Sequence, residues 1–137
     1  MDSVQFDHRG LDRFAVTVER AIAGAPVETA KVVGRGALNI KKDAQRTIRA
    51  KLSGRKSHLR RYPYAIGYDV WQSVKGATAE IGPDKTKTHL QGTLGAIAEN
   101  GSVTSAPMPH MRPAAERELP KFTQALEDLA GKLLEGP

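Results

Sequence analysis

The longest regular apolar pattern in the sequence is in PVETAKVVGRGALNIKKDAQRTIRAKL, at Pro26–Leu52. Apolar residues recur in it at spacings of three and four, at Ala30, Val33, Ala37, Ile40, Ala44 and Ile48. This period predicts one long helix with a single buried face. Pro26 suits the first turn, where its missing backbone N–H leaves no hydrogen bond unmade. The small residues on the buried face predict that a partner backbone comes close.

The segments on either side of this helix show different patterns. Upstream, a spacing of three and four predicts a short helix ending near Gly24, with its apolar face at Leu11, Phe14, Val18 and Ile22. Downstream, 64–74 and 77–83 are short β-like runs, and Gly76 between them predicts a hairpin turn. A short helical segment should follow, with Gly101 as its C-cap.

The C-terminal part has the clearest amphipathic pattern in the chain. Its apolar positions are Ala115, Leu119, Phe122, Leu126, Leu129 and Leu133. Pro120 falls within the pattern, so we expect a kink or a late helix start there. Three prolines precede the helix at Pro107, Pro109 and Pro113. Since each disfavours helical backbone in the residue before it, 106–112 should form an extended strap.

Together these patterns predict a single α+β domain over 1–137. It has two N-terminal helices, one of them long, then a small antiparallel sheet and a C-terminal amphipathic helix, with the helices on one face of the sheet. Two further segments are predicted. A mobile basic loop lies near 53–61, where like charges crowd around Gly54 and few apolar residues offset the entropy of ordering. The proline strap lies near 105–113 and is held against a partner or against the domain's own sheet.

Composition excludes several classes of protein. The chain has 137 residues and no cysteine, so disulfides, thiol catalysis and thiolate metal sites are excluded. A net charge of +6 favours an acidic partner. The opening residues lack the apolar core of a signal peptide, and no apolar run approaches the roughly 20 residues that span a bilayer. We therefore expect synthesis in a cytoplasm and no membrane contact.

Motifs that would indicate an enzyme are not found. The histidines, His8, His58, His89 and His110, are scattered and none lies in an H-E-x-x-H pattern. There is no G-x-S-x-G nucleophile elbow. The G-x-G at Gly34 and Gly36 lies inside a helical pattern, where close packing explains it better than phosphate binding. We expect no catalytic residues, no bound metal and no cofactor.

The strongest local feature is a run of positive charge against Asp43 alone. Its members are Lys41, Lys42, Arg46, Arg49, Lys51, Arg55, Lys56, Arg60 and Arg61. One interpretation is a solvated helix face followed by a mobile loop, and the other is a contact surface for a polyanion. Tyr62 and Tyr64 follow the run; they either stack on bases or belong to the core or a sheet edge.

Several short motifs, in order along the chain, resemble the tail-completion, or head-tail joining, proteins of long-tailed phages. Gly10-Leu11 is similar to the family's opening to a first helix, and a long alanine-rich helix follows, here Pro26–Leu52. The segment 53–70, SGRKSHLRRYPYAIGYDV, resembles the family's TGxLRxS region. AENGS at 98–102 is similar to its vEfGT turn, with Asn100 in place of the aromatic. PMPHMRPA at 107–114 resembles its P-x-P-F-L-R-P-A strap, with His110-Met111 in place of Phe-Leu.

This resemblance covers nearly the whole chain and implies a structural role. The chain would form a ring, six copies by analogy, in the virion neck between head and tail. Its neighbours would be head-closure and tail-terminator or tail-tube proteins, with genomic DNA in the channel. Particle assembly would take place in the host cytoplasm. For the strap we expect contact both with its own sheet and with the adjacent subunit, at Met108, His110, Met111 and Arg112. Alternative functions are a basic nucleic-acid-binding module and, less favoured, a small enzyme.

Overall fold

The computed structural model describes residues 3–7, 15–20, 25–53, 60–73, 76–83, 95–102 and 106–135. Its elements, in chain order, are strands β1 (Ser3–Asp7) and β2 (Ala15–Arg20), helix α1 (Pro26–Leu52), a 3-10 turn (Tyr62–Ala65), strands β3 (Ile66–Ser73) and β4 (Gly76–Pro83), and helices α2 (Gly95–Asn100) and α3 (Met111–Glu135). The α+β class is confirmed, as are the long helix, the hairpin and the C-terminal helix.

The four strands form one antiparallel sheet in the order β1-β2-β4-β3. Helix α1 packs on β3 and β4, and α3 packs on α1 and reaches β1 and β2. In β4 the alternate residues Ala77, Ala79 and Ile81 are buried, which identifies the face that the helices cover. Asp69 and Trp71, on the opposite face of β3, are exposed. The domain is therefore a two-layer structure.

The predicted short first helix is wrong, because Ala15–Arg20 is strand β2. The sheet register explains why. Val18 is paired with Ala79, which is fully buried, and Val16 is paired with Ile81, which is also fully buried. The sequence AVTVER therefore follows a period of two, and its β-branched residues favour a strand. The helical spacing through Leu11 and Phe14 rested on residues outside the described part of the chain.

Helix α1 lies at the centre of the core. Its buried residues include Val33, Ala37, Ile40, Ala44 and Ile48, as the apolar period predicts. The small residues on this helix allow close packing, as expected. A Cβ atom added at Gly36 would lie 3.1 Å from Cδ1 of Phe122 on α3. The aromatic ring therefore rests directly against the α1 backbone.

Polar side chains join α1 to its neighbours at the edge of this core. Asn39 donates from Nδ2 to Oε1 of Glu118 over 2.8 Å, and Arg117 donates from Nε to Oδ2 of Asp43 over 2.8 Å. Both bonds connect α1 with α3. On the other side, Gln45 donates to the carbonyl oxygen of Pro63 over 3.1 Å, which holds the 3-10 turn against α1.

The boundary between the strap and α3 lies earlier than the sequence predicts. Residues 106–110 have no regular structure, and α3 begins at Met111, whereas the predicted strap extends to Arg112. Pro113 lies in the first turn, where it removes no helical hydrogen bond. Pro120 lies inside the helix rather than at its start. It is exposed, so the carbonyl oxygen that loses its donor can bond to water.

The expected C-cap at Gly101 is confirmed, whereas the expected mobility of the basic loop stays a prediction. Gly101 has φ of 78° directly after α2, as expected for a glycine C-cap. The basic loop near 53–61 falls mostly on 54–59, which lies outside the described residues, so its mobility stays a prediction. Its end is described: Arg60 and Arg61 are exposed and lead into the 3-10 turn.

Candidate functional site

A single carboxylate holds the start of α3. Oε1 of Glu99, at the end of α2, accepts the backbone N–H groups of His110 and Met111, both over 2.8 Å. Its Oε2 accepts the N–H of Arg112 over 3.1 Å. The first N–H groups of a helix have no partner within the helix, and a negative charge is favoured at that end. Glu99 thus caps α3 from outside its own sequence; we call this arrangement the helix clamp.

His110 continues the helix clamp to the 3-10 turn. Its Nδ1 lies 2.9 Å from the Met108 carbonyl oxygen and 3.0 Å from Oε1 of Glu99. Since both of these atoms only accept, the imidazole proton belongs on Nδ1. Nε2 then accepts the hydroxyl hydrogen of Tyr62 over 2.8 Å. The chain Tyr62–His110–Glu99 therefore satisfies every polar atom of the imidazole.

Burial determines the protonation of this cluster. Desolvation lowers the pKa of His110, although the hydrogen bond to Met108 and the charge of Glu99 act in the opposite direction. Burial and the Glu99 charge raise the pKa of Tyr62 above its usual value. The acid–imidazole–hydroxyl order resembles a catalytic triad. However, Tyr62 and His110 are both 0% exposed, so the hydroxyl does not face a substrate, and the cluster's evident role is to hold α3 in place.

The lowered pKa of His110 predicts a pH-dependent stability. Below the ordinary pKa of 6.5 the unfolded chain gains a proton that the folded chain does not bind. Stability should therefore fall as pH decreases from 7 to 5, by at most about 1.4 kcal/mol per pH unit for one proton. Urea unfolding at each pH measures this slope. His110→Gln should flatten it, and an equal slope in both proteins would contradict the assignment.

The proposed contact of the strap with a neighbouring subunit is wrong for two of its residues. His110 and Met111 are each 0% exposed and lie in the core of the domain itself. Met108 is partly buried against the same core, and its N–H donates to the Ala98 carbonyl oxygen over 2.7 Å. Of the four predicted interface residues only Arg112 is exposed. The segment is thus held against its own domain, as in the alternative interpretation, although the contact of Met108 is with α2 and the core.

The basic run is divided between α1 and the residues after it. Arg55 and Lys56 lie outside the described residues. The rest are mostly exposed, and the helical members Lys42, Arg46 and Arg49 share one face at spacings of four and three. Lys31 and Arg35 extend this face towards the start of α1. We call the set the basic stripe: Lys31, Arg35, Lys42, Arg46 and Arg49. It spans 18 residue steps, about 27 Å at the helical rise.

The remaining basic residues and the tyrosines have separate surroundings. Lys41 turns away from the stripe, with Nζ 5.8 Å from the centre of the Tyr68 ring. The Arg49 guanidinium lies 4.9 Å from the centre of the Tyr64 ring, and this ring is 60% exposed. Tyr62, in contrast, is a core residue. Of the two tyrosines considered for base stacking, only Tyr64 has a surface available.

The acidic residue inside the basic run is already paired. Asp43 accepts hydrogen bonds from Arg117 and from the Thr47 hydroxyl. These bonds, that of Arg117 above all, hold the pKa of the Asp43 carboxyl below its usual value. The charge of Asp43 is thus directed mainly towards Arg117 on α3, although the charge of Arg46 in the stripe also lowers the pKa of Asp43.

A groove of about 360 Å³ lies between α1 and α3. Val32, Gly36, Phe122 and Ala125 form its apolar lining, and the other lining residues are Lys31, Arg35, Asn39, Glu118 and Lys121. Glu118 is engaged by Asn39. The groove is therefore apolar inside and cationic at its edge, and it adjoins one end of the basic stripe.

The described part of the chain offers neither a metal site nor a membrane-spanning helix. Within the described ranges, no three His, Asp or Glu side chains are grouped so that they could hold a metal ion. In the same part of the chain, no helix has the length and apolar character needed to cross a membrane. Comparisons of the sequence and structure with protein-family models, curated proteins and solved structures found no match.

Sequence reasoning missed the helix clamp and the groove. The bond from Tyr62 to His110 joins residues 48 positions apart, and no local pattern indicates such a pair. Glu99 was part of the AENGS motif, but no role was assigned to it. The basic stripe could have been extended, because Lys31 and Arg35 continue the spacing of Lys42, Arg46 and Arg49. The groove forms where Gly36 of α1 faces Phe122 of α3, and these two residues lie far apart in the sequence.

Proposed function

We propose that this chain is a structural subunit of a neck ring that joins a phage head to its tail. The proposal starts from the ordered motifs between Gly10 and Ala114 that resemble the tail-completion proteins. The observation that carries it furthest is the helix clamp. The two most distinctive motifs, AENGS and PMPHMRPA, meet in space, where Glu99 from one accepts the N–H groups of His110 and Met111 from the other.

The helix clamp assigns these two motifs one shared structural role, which is to position the start of α3. A turn followed by a proline strap is needed to bring α2 to the start of α3, and the carboxylate then fixes the direction of the last helix. Glu in the turn and Arg112-Pro113-Ala114 after the strap are the parts of the family pattern that this arrangement uses. The departures at His110 and Met111 are compensated, since His110 bonds to Tyr62 and Met111 fills the core.

The surface of the domain also suits an assembly protein better than an enzyme. The described polar cluster with triad-like order is buried, whereas large apolar side chains are exposed, among them Trp71 at 52% and Leu134 at 89%. Single exposed apolar residues are common on protein surfaces, and such residues indicate an interaction surface only where they lie together, as the neighbours Leu133 and Leu134 do at the end of α3. In this proposal the partners are further copies of the chain and the adjacent neck and tail proteins, without catalysis or cofactor.

The experiment that tests the proposal is genetic. In the genome that encodes this chain, the reading frame is interrupted and the particles in the lysate are viewed by electron microscopy. The expected result is DNA-filled heads and complete tails that are not joined. Normal joined particles from the interrupted genome would contradict a neck role.

A second candidate, a nucleic-acid-binding module, is favoured by one specific observation, the basic stripe with the Arg49–Tyr64 pair at its end. Phosphates follow one another along a duplex, and a row of cations about 27 Å long matches such a partner.

This candidate predicts strongly salt-dependent binding to duplex DNA. If the stripe neutralises about four phosphates, the logarithm of the binding constant should fall with the logarithm of salt concentration at a slope near −3.6. Fluorescence anisotropy with a labelled duplex measures it. Arg46→Glu with Arg49→Glu should abolish binding, and Lys132→Glu, far along α3, serves as the matched control. No binding at roughly 50 mM salt would exclude this candidate and leave the stripe as solvated surface or channel lining.

A further inference from the structure

The exposed end of α3 and the groove between α1 and α3 are complementary in shape and charge. Leu134 is 89% exposed, the most exposed of the large hydrophobic residues in the described part of the chain, and Leu133 is 43% exposed. Apart from the helix's own backbone and the adjacent residues, no atom in the described part of the chain lies within 4 Å of a Cβ built on Gly131, about one turn earlier. The end of α3 thus presents an apolar knob with open space around it.

The groove is the matching concave surface. Its lining places Gly36 beneath the Phe122 ring, with Val32 and Ala125 at the sides. Its volume of about 360 Å³ lies at the small end of the roughly 300–1,000 Å³ typical of binding pockets. Two adjacent apolar side chains of a helix end are an occupant of suitable size.

Charge favours the same pairing. Lys31, Arg35 and Lys121 surround the groove. Among the described side chains, the last turns of α3 carry Glu127 and Asp128 against Lys132, whereas the groove carries Lys31, Arg35 and Lys121 against Glu118. The helix end therefore has a net negative charge and the groove a net positive one. Opposite charges at the edge of an apolar contact steer partners together and set the orientation.

The knob cannot fill the groove of its own subunit. Ala125, the groove residue nearest to Leu134 along α3, is nine residues away, about 13 Å along the helix axis. The helix is continuous between them. An occupant of this kind must therefore come from another molecule.

We propose that the Leu133–Leu134 end of α3 docks into the α1–α3 groove of a second copy of this chain. The two contact surfaces are different, so the interface is heterologous and one copy can continue to the next. Such a contact closes into a ring when the rotation between copies allows it. In this respect the inference rests on the proposed neck ring and names the surface through which its subunits meet.

Site-specific cross-linking tests the contact, because the chain has no cysteine of its own. Two variants, Arg35→Cys and Gly131→Cys, of which one carries a size tag, are mixed and oxidised. Arg35 is exposed and a Cβ at Gly131 has open space, while Leu133 and Leu134 are kept, so folding should be unaffected. A disulfide forms only where the Cα atoms come within about 7 Å. The expected product is a covalent heterodimer of the two variants. The matched control replaces Arg35→Cys by Asp69→Cys, an exposed position on the face of the sheet that the helices do not cover, and should give no such product.

Equal cross-linking with both partners, or none with either, would overturn the docking proposal. A second readout is sedimentation velocity at high concentration, where Leu134→Asp should abolish association that Leu119→Asp, an exposed leucine earlier on the helix, leaves intact. Saturation of the groove by a fatty acid without any self-association would show a small amphiphile as the occupant and also overturn it.

The docking proposal and the neck-ring proposal can fail independently of each other. If the cross-link forms but the interrupted genome still yields joined particles, the contact stands and the neck role fails. If the cross-link does not form but joining requires the chain, the neck role stands and another surface holds the ring. Oligomers that stop at dimers support the contact, through a reciprocal pair, but count against a ring.

Discussion

Glu99→Ala should unfold the domain at temperatures that the unaltered protein withstands. The substitution leaves the N–H groups of His110 and Met111 without their acceptor, at positions that are both 0% exposed. An unsatisfied buried donor costs about 1–3 kcal/mol, so the two together cost about 2–6 kcal/mol. Total stabilities of domains are about 5–15 kcal/mol. Thermal unfolding followed by circular dichroism should show the midpoint lowered by about 10 °C or more.

Two further variants separate the hydrogen bonds from the charge. Glu99→Gln keeps one oxygen that can accept from His110 and Met111, and should therefore lose about half as much stability. Glu127→Ala, at an exposed position on α3, is the matched control and should change the free energy of unfolding by about 0.5 kcal/mol or less. A Glu99→Ala protein that melts within about 2 °C of the unaltered one would show that the clamp contributes little.

Leu126→Asp should give insoluble or unfolded protein. Leu126 is 1% exposed in the cluster that α1, α3 and the sheet form. The change places an unpaired carboxylate in an apolar site and removes most of the leucine packing. Loss of packing alone, as in Leu→Ala, costs about 2–5 kcal/mol, and the buried polar group adds to it. Solubility after expression and urea unfolding of any soluble fraction measure the effect.

The control for Leu126 lies on the same apolar period. Leu133 follows it by seven residues, two helical turns, but is 43% exposed. Leu133→Asp should therefore remain folded with nearly unchanged stability. A soluble Leu126→Asp with an unchanged unfolding midpoint would show that α3 does not pack as described. An unfolded Leu133→Asp would show that the core extends further along the helix.

The main elements could be predicted from the sequence because their information is local. The period of α1 from Val33 to Ile48 and that of α3 are complete within single segments. The hairpin is indicated by Gly76 between two β-like runs. Strand β2 was misread because apolar residues at Phe14, Val18 and Ile22 imitate a helix, while its two-residue period is short. Only the partner strand, through the pairing of Val18 with Ala79, decides between the two.

The helix clamp and the groove could not be predicted from the sequence, because each is formed by residues that lie far apart along the chain. The exposure of Met111 illustrates this. Because Met111 lies in a segment with three prolines, the sequence predicts that its side chain is on the surface. The side chain is instead fully buried, and the N–H of Met111 donates to Glu99 at the start of α3. Likewise, the apolar period of α3 includes Leu119 and Leu133, which are 40% and 43% exposed. Periodicity gives the buried face of a helix, but the length over which it is covered depends on its neighbours.

The most direct test of the neck proposal is restoration of joining with purified protein. A lysate from the interrupted genome is divided, and one part receives the purified chain. We predict that joined, infectious particles appear only in that part, in proportion to the protein added, and that the Glu99→Ala protein does not restore them. Heads and tails that stay separate after addition of folded, unaltered chain, or that join without it, would contradict the account.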